Sequence, residues 1–467
     1  MMVAGAGEAA VSGVSLVDTL NVLLSVLFTA LTAGGSVVIS QALGAKDEKH
    51  AHQAGEQLLL TATSMSLVIT VIALLGNKSI LAAIFGKTSA DVMENARIYF
   101  FFMAFSYPFL AIYNACASMF RSMGNSRVSM IASLVMNLMN ICGKCHSGIR
   151  LSTMGAAGVA ISSVVSRVMS ATVLLILLRR PGQPLTLRHY TLRFHLPTIK
   201  KLLYIGVPSG IETSIFQVGK ILVLSLVAGF GTSATTANAV GNTLNQFPLI
   251  PAVGIGTSLI TIVGQCVGAK AYDQAVAYTK KLMLISHLIL AVTCSLMIVI
   301  SPWILKLYHL SPETTELTMQ LITLQNVCAI FLYPGSFAIS NTLRAASDVR
   351  YPMVVAIVSM WVWRVAFSYI LGLNLGMGVL GVWIAMMVDW VCRAICFIAR
   401  FQKGTLENQG LEGFQLKPPA LHFFRLLTGV ICEPVPEPSQ NGLPDVSWVR
   451  RKQSFRFLHR QSSFSLL

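Results

Sequence analysis

Apolar and polar residues follow one another along this chain in long blocks rather than in short periods. Eleven apolar runs stand out, at 15–43, 54–76, 94–120, 126–150, 154–178, 198–229, 234–267, 276–306, 312–344, 349–373 and 376–400. A helix needs about 20 apolar residues to cross a hydrocarbon core of about 30 Å, and each run meets that length. The longest runs imply tilt or protrusion beyond the bilayer. Their continuity predicts helices rather than the short alternating segments of a membrane barrel. Composition agrees, with 54% hydrophobic and only 11% charged residues. A soluble domain carries about twice that charged share. A large soluble core would also need polar outer faces between its apolar blocks.

The runs repeat. SVVISQALGAK at 36–46 returns as LITIVGQCVGAK at 259–270, where Gln265, Gly268, Ala269 and Lys270 match Gln41, Gly44, Ala45 and Lys46 at a spacing of 224. RSMGNSRVSM (121–130) returns as RAASDVRYPM (344–353), and MGAAGVAI (154–161) as MGVLGVWI (377–384), both at 223. The chain therefore reads as two homologous halves. Internal duplication in so apolar a chain marks a secondary transporter whose substrate path lies between the halves. The expected fold is an all-α polytopic membrane protein, built as parallel repeats about an axis along the membrane normal.

A net charge of +16 raises nucleic acid as a partner, but the distribution excludes it. Lys and Arg gather in alternate loops, most densely at Arg179, Arg180, Arg188, Arg193, Lys200 and Lys201, and again around Lys46 and Lys49 and around Lys270, Lys280 and Lys281. The loop at 229–238 has none. This positive-inside pattern predicts a multi-pass plasma membrane protein with its basic loops and C-terminus in the cytoplasm. The bilayer is the partner this requires, and no obligate protein partner is inferred. Nine cysteines lie mostly in apolar runs and read as buried small hydrophobes rather than disulfides.

Basic loops on one side of both halves require an even number of helices in each complete half. Residues 198–404 hold six runs; residues 1–178 hold five, joined by a basic linker at 179–197. The counterpart of 198–229 is absent, so the expectation is a first lobe of five helices lacking its first. The alternative is an eleven-helix protein with an outside N-terminus. The repeat breaks again at 144–153, in the fifth helix of the intended six. There Lys144, His146 and Arg150 stand opposite Phe367, Tyr369 and Leu373. Lys or Arg at mid-membrane costs about 2.5–3.5 kcal/mol each. A locally altered reading frame would produce this, and a functional cationic site is the competing reading. Residues 405–467 mix Pro, Ser and basic residues without period and read as a mostly disordered tail or, equally, as altered-frame sequence.

Several segments resemble the multidrug and toxic compound extrusion family, the MATE exporters: GEAAVSGVSLVD (7–18), ALTAGGSVVISQALGAKD (30–47), FRSMGNSR (120–127), GVPSGIETSIFQVGK (206–220), NTLRAASDVRYPM (341–353) and GVWIAMMVDWVCR (381–393). The likeness covers both halves in order, apart from 144–153. It implies two six-helix lobes, a central cavity, and export of organic cations in exchange for Na⁺ or H⁺. Two other readings stay open. One is an inert truncated product without transport. The other is a flippase of lipids or lipid-linked sugars, which would favour a more cationic central cavity.

Glu212 is the leading candidate for coupling. A carboxylate inside a spanning run, four residues after Pro208, is a functional-site hypothesis by default, able to exchange a proton or bind Na⁺. The bland reading is snorkelling toward the face that carries Lys200 and Lys201. Members of the resembled family often carry an acidic residue about one turn further on, where this chain has Phe216 and Gln217. Gln217, Asn245 and Gln246 are polar candidates for the cavity wall, and Asp18, opposite Asn242, for the cavity or a helix end. Asp389 and Arg393, four apart, are expected to form a structural ion pair. Gln41 and Gln265 read as packing and capping positions. Cys142-Gly143-Lys144-Cys145-His146 matches the haem-attachment pattern but falls inside a spanning run, so no haem is expected. No Walker A motif, nucleophile triad or metal cluster appears. The chain is not read as an enzyme, and no cofactor is implied beyond the coupling ion.

Overall fold

The computed structural model describes residues 8–85, 88–150, 155–187 and 193–403. Among these, every element is helical. The first half holds α1 (Glu8–Gly44), α2 (Glu48–Leu75), α3 (Asn77–Phe85), α4 (Ala90–Ser122), α5 (Ser126–Arg150) and α6 (Gly155–Leu178). The second holds α7 (Leu196–Ala228), α8 (Thr232–Gly268), α9 (Tyr272–Leu307), α10 (Pro312–Tyr333), α11 (Ile339–Ala345), α12 (Arg350–Ser359), α13 (Phe367–Tyr369) and α14 (Gly378–Gln402). A π-helical turn, Pro334–Ala338, joins α10 to α11. Two more, Met360–Ala366 and Ile370–Asn374, flank α13 and make 350–374 one irregular span.

Ten helices among the described residues are long and apolar enough to cross a bilayer. The run at 126–150 forms α5 but is not among the ten, because Arg127, Asn137, Asn140 and Lys144 dilute it. The backbone of α5 stays helical to Arg150, so the cationic segment does not end the helix. Residues 151–154 and the expected tail at 405–467 lie outside the described residues. Large apolar side chains on the spans point outward, among them Val292, Leu288, Ile221 and Ile395, as lipid contact requires.

The duplication is visible in the backbone. α1 and α8 end at Gly44 and Gly268, displaced by the spacing of the repeat. Each ends in the same turn. Lys46 and Lys270 both adopt φ 57°, the left-handed conformation that stops a helix. Ala45 N–H donates to the Gln41 carbonyl and Ala269 N–H to the Gln265 carbonyl, at 2.9 Å each. The next helix starts at once: Asp47 caps α2 by accepting from the His50 N–H at 3.0 Å.

Phe28, Tyr107, Met119 and Phe120 centre one buried core in the first half. Trp383, Trp390, Tyr333 and Leu321 centre another in the second. α1 and α8 pack against each other between them, and α7 lies along α1. No helix of the described residues takes the matching place along α8, whose Phe247, Ile250 and Val253 are exposed.

Candidate functional site

Polar groups sit inside the helices of both halves. In the second half, Glu212 of α7 is largely buried and is gripped by Arg344, whose Nη2 donates to both carboxylate oxygens at 2.7 and 2.6 Å. Arg344 also donates to the Asn341 Oδ1 at 3.1 Å. The pair lines a cavity of about 250 Å³ with Phe216, Tyr333, Phe337 and Arg393. A carboxylate held this way is not a free cation site. Arg344 already balances the Glu212 charge, so a proton or Na⁺ there competes with it.

Deeper in the same half, Arg393 Nε donates to Asp389 Oδ1 at 2.8 Å, the ion pair expected from their spacing. Ser359 Oγ donates to the same oxygen at 2.5 Å, and Arg364 stands 3.8 Å from the other. Asp389 and Arg393 are almost fully buried. Lys220, Arg364 and Arg393 all lie over the Phe216 ring, at 5.9, 5.2 and 5.4 Å from its centroid. Arg364 escaped the sequence reading, although a cation within the run 349–373 is itself a signal.

In the first half, Asp18 accepts from Tyr99 Oη at 3.0 Å and from Asn21 Nδ2 at 3.1 Å. Tyr107 Oη donates to Asn21 Oδ1 at 2.9 Å, and Arg167 donates to Ser106 at 2.5 Å beside it. Asp18 is therefore tied into a polar cluster. Tyr99, Tyr107 and Arg167 carried no sequence signal beyond Arg167's place in an apolar run.

The remaining candidates separate. Asn245 is buried and locked: Asn326 Nδ2 donates to its Oδ1 at 2.6 Å, and its own Nδ2 donates to Gln325 Oε1 at 3.3 Å. It does not line the Glu212 cavity, and neither Gln217 nor Gln246 does. Cys142 is a free, exposed thiol; the side chains of Cys145 and His146 lie outside the described residues. Among the described residues no three His, Cys, Asp or Glu side chains gather as a metal site.

Gln41 and Gln265 do more than pack. Gln41 Nε2 crosses to the second half and donates to the Ala345 carbonyl at 2.8 Å and the Ser347 Oγ at 3.0 Å. Gln265 Nε2 crosses to the first half and donates to the Ser122 carbonyl at 2.9 Å. Ser122 and Ala345 are equivalent in the repeat, so these are one bond made twice. Thr261 adds a bond to the Arg121 carbonyl at 3.2 Å. The crossing is close enough to require glycine. A Cβ on Gly44 would stand 2.6 Å from the Gln265 carbonyl carbon, and one on Gly268 2.7 Å from that of Gln41. We call this arrangement the latch. Arg344, which grips Glu212, precedes the latched Ala345 in the chain.

A duplicated all-helical membrane protein with a charged cavity in one half and a latch between the halves has the build of a transporter. The MatE family profile matches residues 1–144 and 208–370, and the chain belongs to that family. It is 25% identical over 417 residues to the uncharacterized transporter YisQ of Bacillus subtilis, covering 88% of this chain and 90% of that one. It is 27% identical over 385 residues to the probable multidrug resistance protein YoeA of the same organism, covering 81% and 82%. Its fold matches an outward-facing multidrug resistance MATE family transporter of the MOP superfamily with TM-score 0.81, at 17% identity, covering 87% of this chain and 91% of that chain. These relatives are transporters and not enzymes.

Proposed function

We propose that the protein is a secondary active exporter that moves small organic molecules across the plasma membrane in exchange for Na⁺ or H⁺. Its basic loops and C-terminus face the cytoplasm, and the latch closes that side. Alternating access requires the latch to break and reform as the halves rock around the central path. The observation that carries the reading is the adjacency of Arg344 and Ala345. One residue holds the carboxylate of α7, and the next holds the opposite half.

A proton or Na⁺ on Glu212 neutralises the carboxylate and releases Arg344. The C-terminal turn of α11 then loses one of its two anchors, and the Gln41 bonds hold alone. Ion binding thus weakens the latch, and latch closure favours ion release, as linkage demands. Glu212 is the coupling group in this scheme, with the Asp18 cluster a second carboxylate site in the other half. Organic cations are the substrate class that the family resemblance implies, and relatives bear multidrug resistance names. A second reading, an anionic lipid or lipid-linked substrate, is favoured by the arginines around the same cavity.

The test is export of a cationic dye from proteoliposomes under imposed Na⁺ or pH gradients. Glu212→Gln keeps the shape of the side chain but carries neither charge nor proton, so gradient-driven export should cease while dye binding persists. Full gradient-driven export by that variant would refute the coupling role.

A further inference from the structure

Around Phe216 the second half gathers more positive charge than its carboxylates neutralise, with Arg393 buried, Arg364 largely buried and Lys220 exposed. Glu212 and Arg344 cancel. Around Phe216, three cations share one carboxylate, Asp389, which bonds Arg393 directly and meets Arg364 only at 3.8 Å. Arg364 otherwise donates to the Met386 sulfur at 2.9 Å, a weak acceptor. Lys220 makes no hydrogen bond or ion pair with the described residues; its ammonium rests on the Phe216 ring.

These charges lie well inside the membrane. Arg364 and Arg393 sit near the middle of the spans 350–374 and 378–402, and Lys220 lies two turns from the end of α7. Cations in that zone are expensive, face protein or water-filled cavities, and mark substrate paths. Arg393 is bonded to Asp389 and to the Ala356 carbonyl, whereas Lys220 and Arg364 lean on the ring quadrupole for want of better partners. Phe216 and Arg393 also line the cavity, whose other wall is aromatic: Tyr333 and Phe337 stack at 4.6 Å. The charged residues of the cavity lining are Glu212, Arg344 and Arg393, and Lys220 and Arg364 adjoin it through the Phe216 ring.

We infer that this cluster binds the anionic oxygen head group, a phosphate or carboxylate, of an amphipathic molecule whose apolar part lies against Phe216, Tyr333 and Phe337. Arginine suits such oxygens because its planar fork donates two bonds at once, and Lys220 adds a point charge. A purely cationic ligand would meet like charge at the same place. The inference builds on the exporter reading only for transport; binding is a property of the isolated protein.

The full chain in phosphatidylcholine nanodiscs is titrated with hexyl phosphate and with hexyltrimethylammonium by calorimetry. The phosphate should bind at least about tenfold more tightly, the size of one charge-assisted contact. Lys220→Gln, which breaks no bond in the fold, should remove about tenfold of that affinity, and so should Arg364→Gln. Nanodiscs doped with phosphatidic acid separate the sources. If the doped lipid competes with hexyl phosphate and loses this effect in Lys220→Gln, the ligand is a bilayer lipid. If it does not compete, the ligand is a soluble amphiphile. Tighter binding of the ammonium compound, or unchanged phosphate affinity in both variants, would overturn the site. Export assays keep the two readings apart. Phosphate binding without export of any compound leaves the site and removes the exporter; gradient-driven dye export without phosphate binding does the reverse.

Discussion

Gly44→Ala is the sharpest probe of the latch. The new methyl group would stand 2.6 Å from the Gln265 carbonyl carbon. Carbon atoms rest at about 3.5–4.0 Å, so α1 and α8 must part by about 1 Å or more. The obstacle is backbone, so no rotamer change relieves it. Parting by that much carries the Gln41–Ala345 and Gln265–Ser122 bonds from 2.8 and 2.9 Å past the hydrogen-bonding limit. Losing two or three such bonds, at about 1 kcal/mol each, shifts the balance between latched and open forms by about 2–3 kcal/mol. That is a change of about 30- to 150-fold in the open population. Spin labels at equivalent positions 49 and 273, both exposed beyond the crossing, report the separation by double electron–electron resonance. The expected result is a longer and broader distance distribution in Gly44→Ala, with Gly268→Ala giving the same shift by symmetry. An unchanged distribution in both variants would refute the latch as the closing element.

Four further outcomes follow from the geometry. Asp389→Asn strips the carboxylate from Arg393 and Arg364, and breaking one side of a buried pair costs about 3–5 kcal/mol, so the thermal midpoint in detergent should fall sharply; an unchanged midpoint contradicts the ion-pair assignment. Asn245→Leu removes one acceptor of the Asn326 amide and the donor to Gln325 Oε1 in a buried site and should destabilise by about 1–3 kcal/mol without altering dye affinity, whereas a lost affinity with full stability would return Asn245 to the cavity wall. Cysteines placed at 49 and 280 should resist an impermeant thiol reagent in intact cells and react after lysis, and labelling before lysis would invert the proposed orientation. Purified protein should show no Soret band, and a haem-sized mass abolished by Cys142→Ser would overturn the reading of that motif.

Helix placement was legible because bilayer crossing is a demand on length and polarity that sequence displays directly. The ends of α1 and α8 followed from the repeat at Gln41-to-Lys46 and Gln265-to-Lys270, and the Asp389–Arg393 pair from its four-residue spacing. Partners far apart in sequence were not legible. Glu212 read as a lone carboxylate near Lys200 and Lys201, yet its partner is Arg344, 132 residues away. Asn245 read as a cavity polar group, yet three amides from α8 and α10 close on one another. Gln41 and Gln265 showed equivalence but not reach, since a packing glutamine and a bridging one have the same letter.

The π-helical turn at Pro334–Ala338 has a consequence for how this chain can vary. An added or deleted residue in a helix swings everything beyond it by about 100°. Arg344 and Ala345 lie downstream of that turn, and each must meet a fixed target, Glu212 on α7 and Gln41 on α1. The turn therefore acts as a phase adjuster. Substitutions within 334–338 that keep its length leave both contacts aimed, while a single-residue indel would misdirect both together. Change in this stretch is thus restricted in length, besides what Ser336 and Phe337 require of their own contacts.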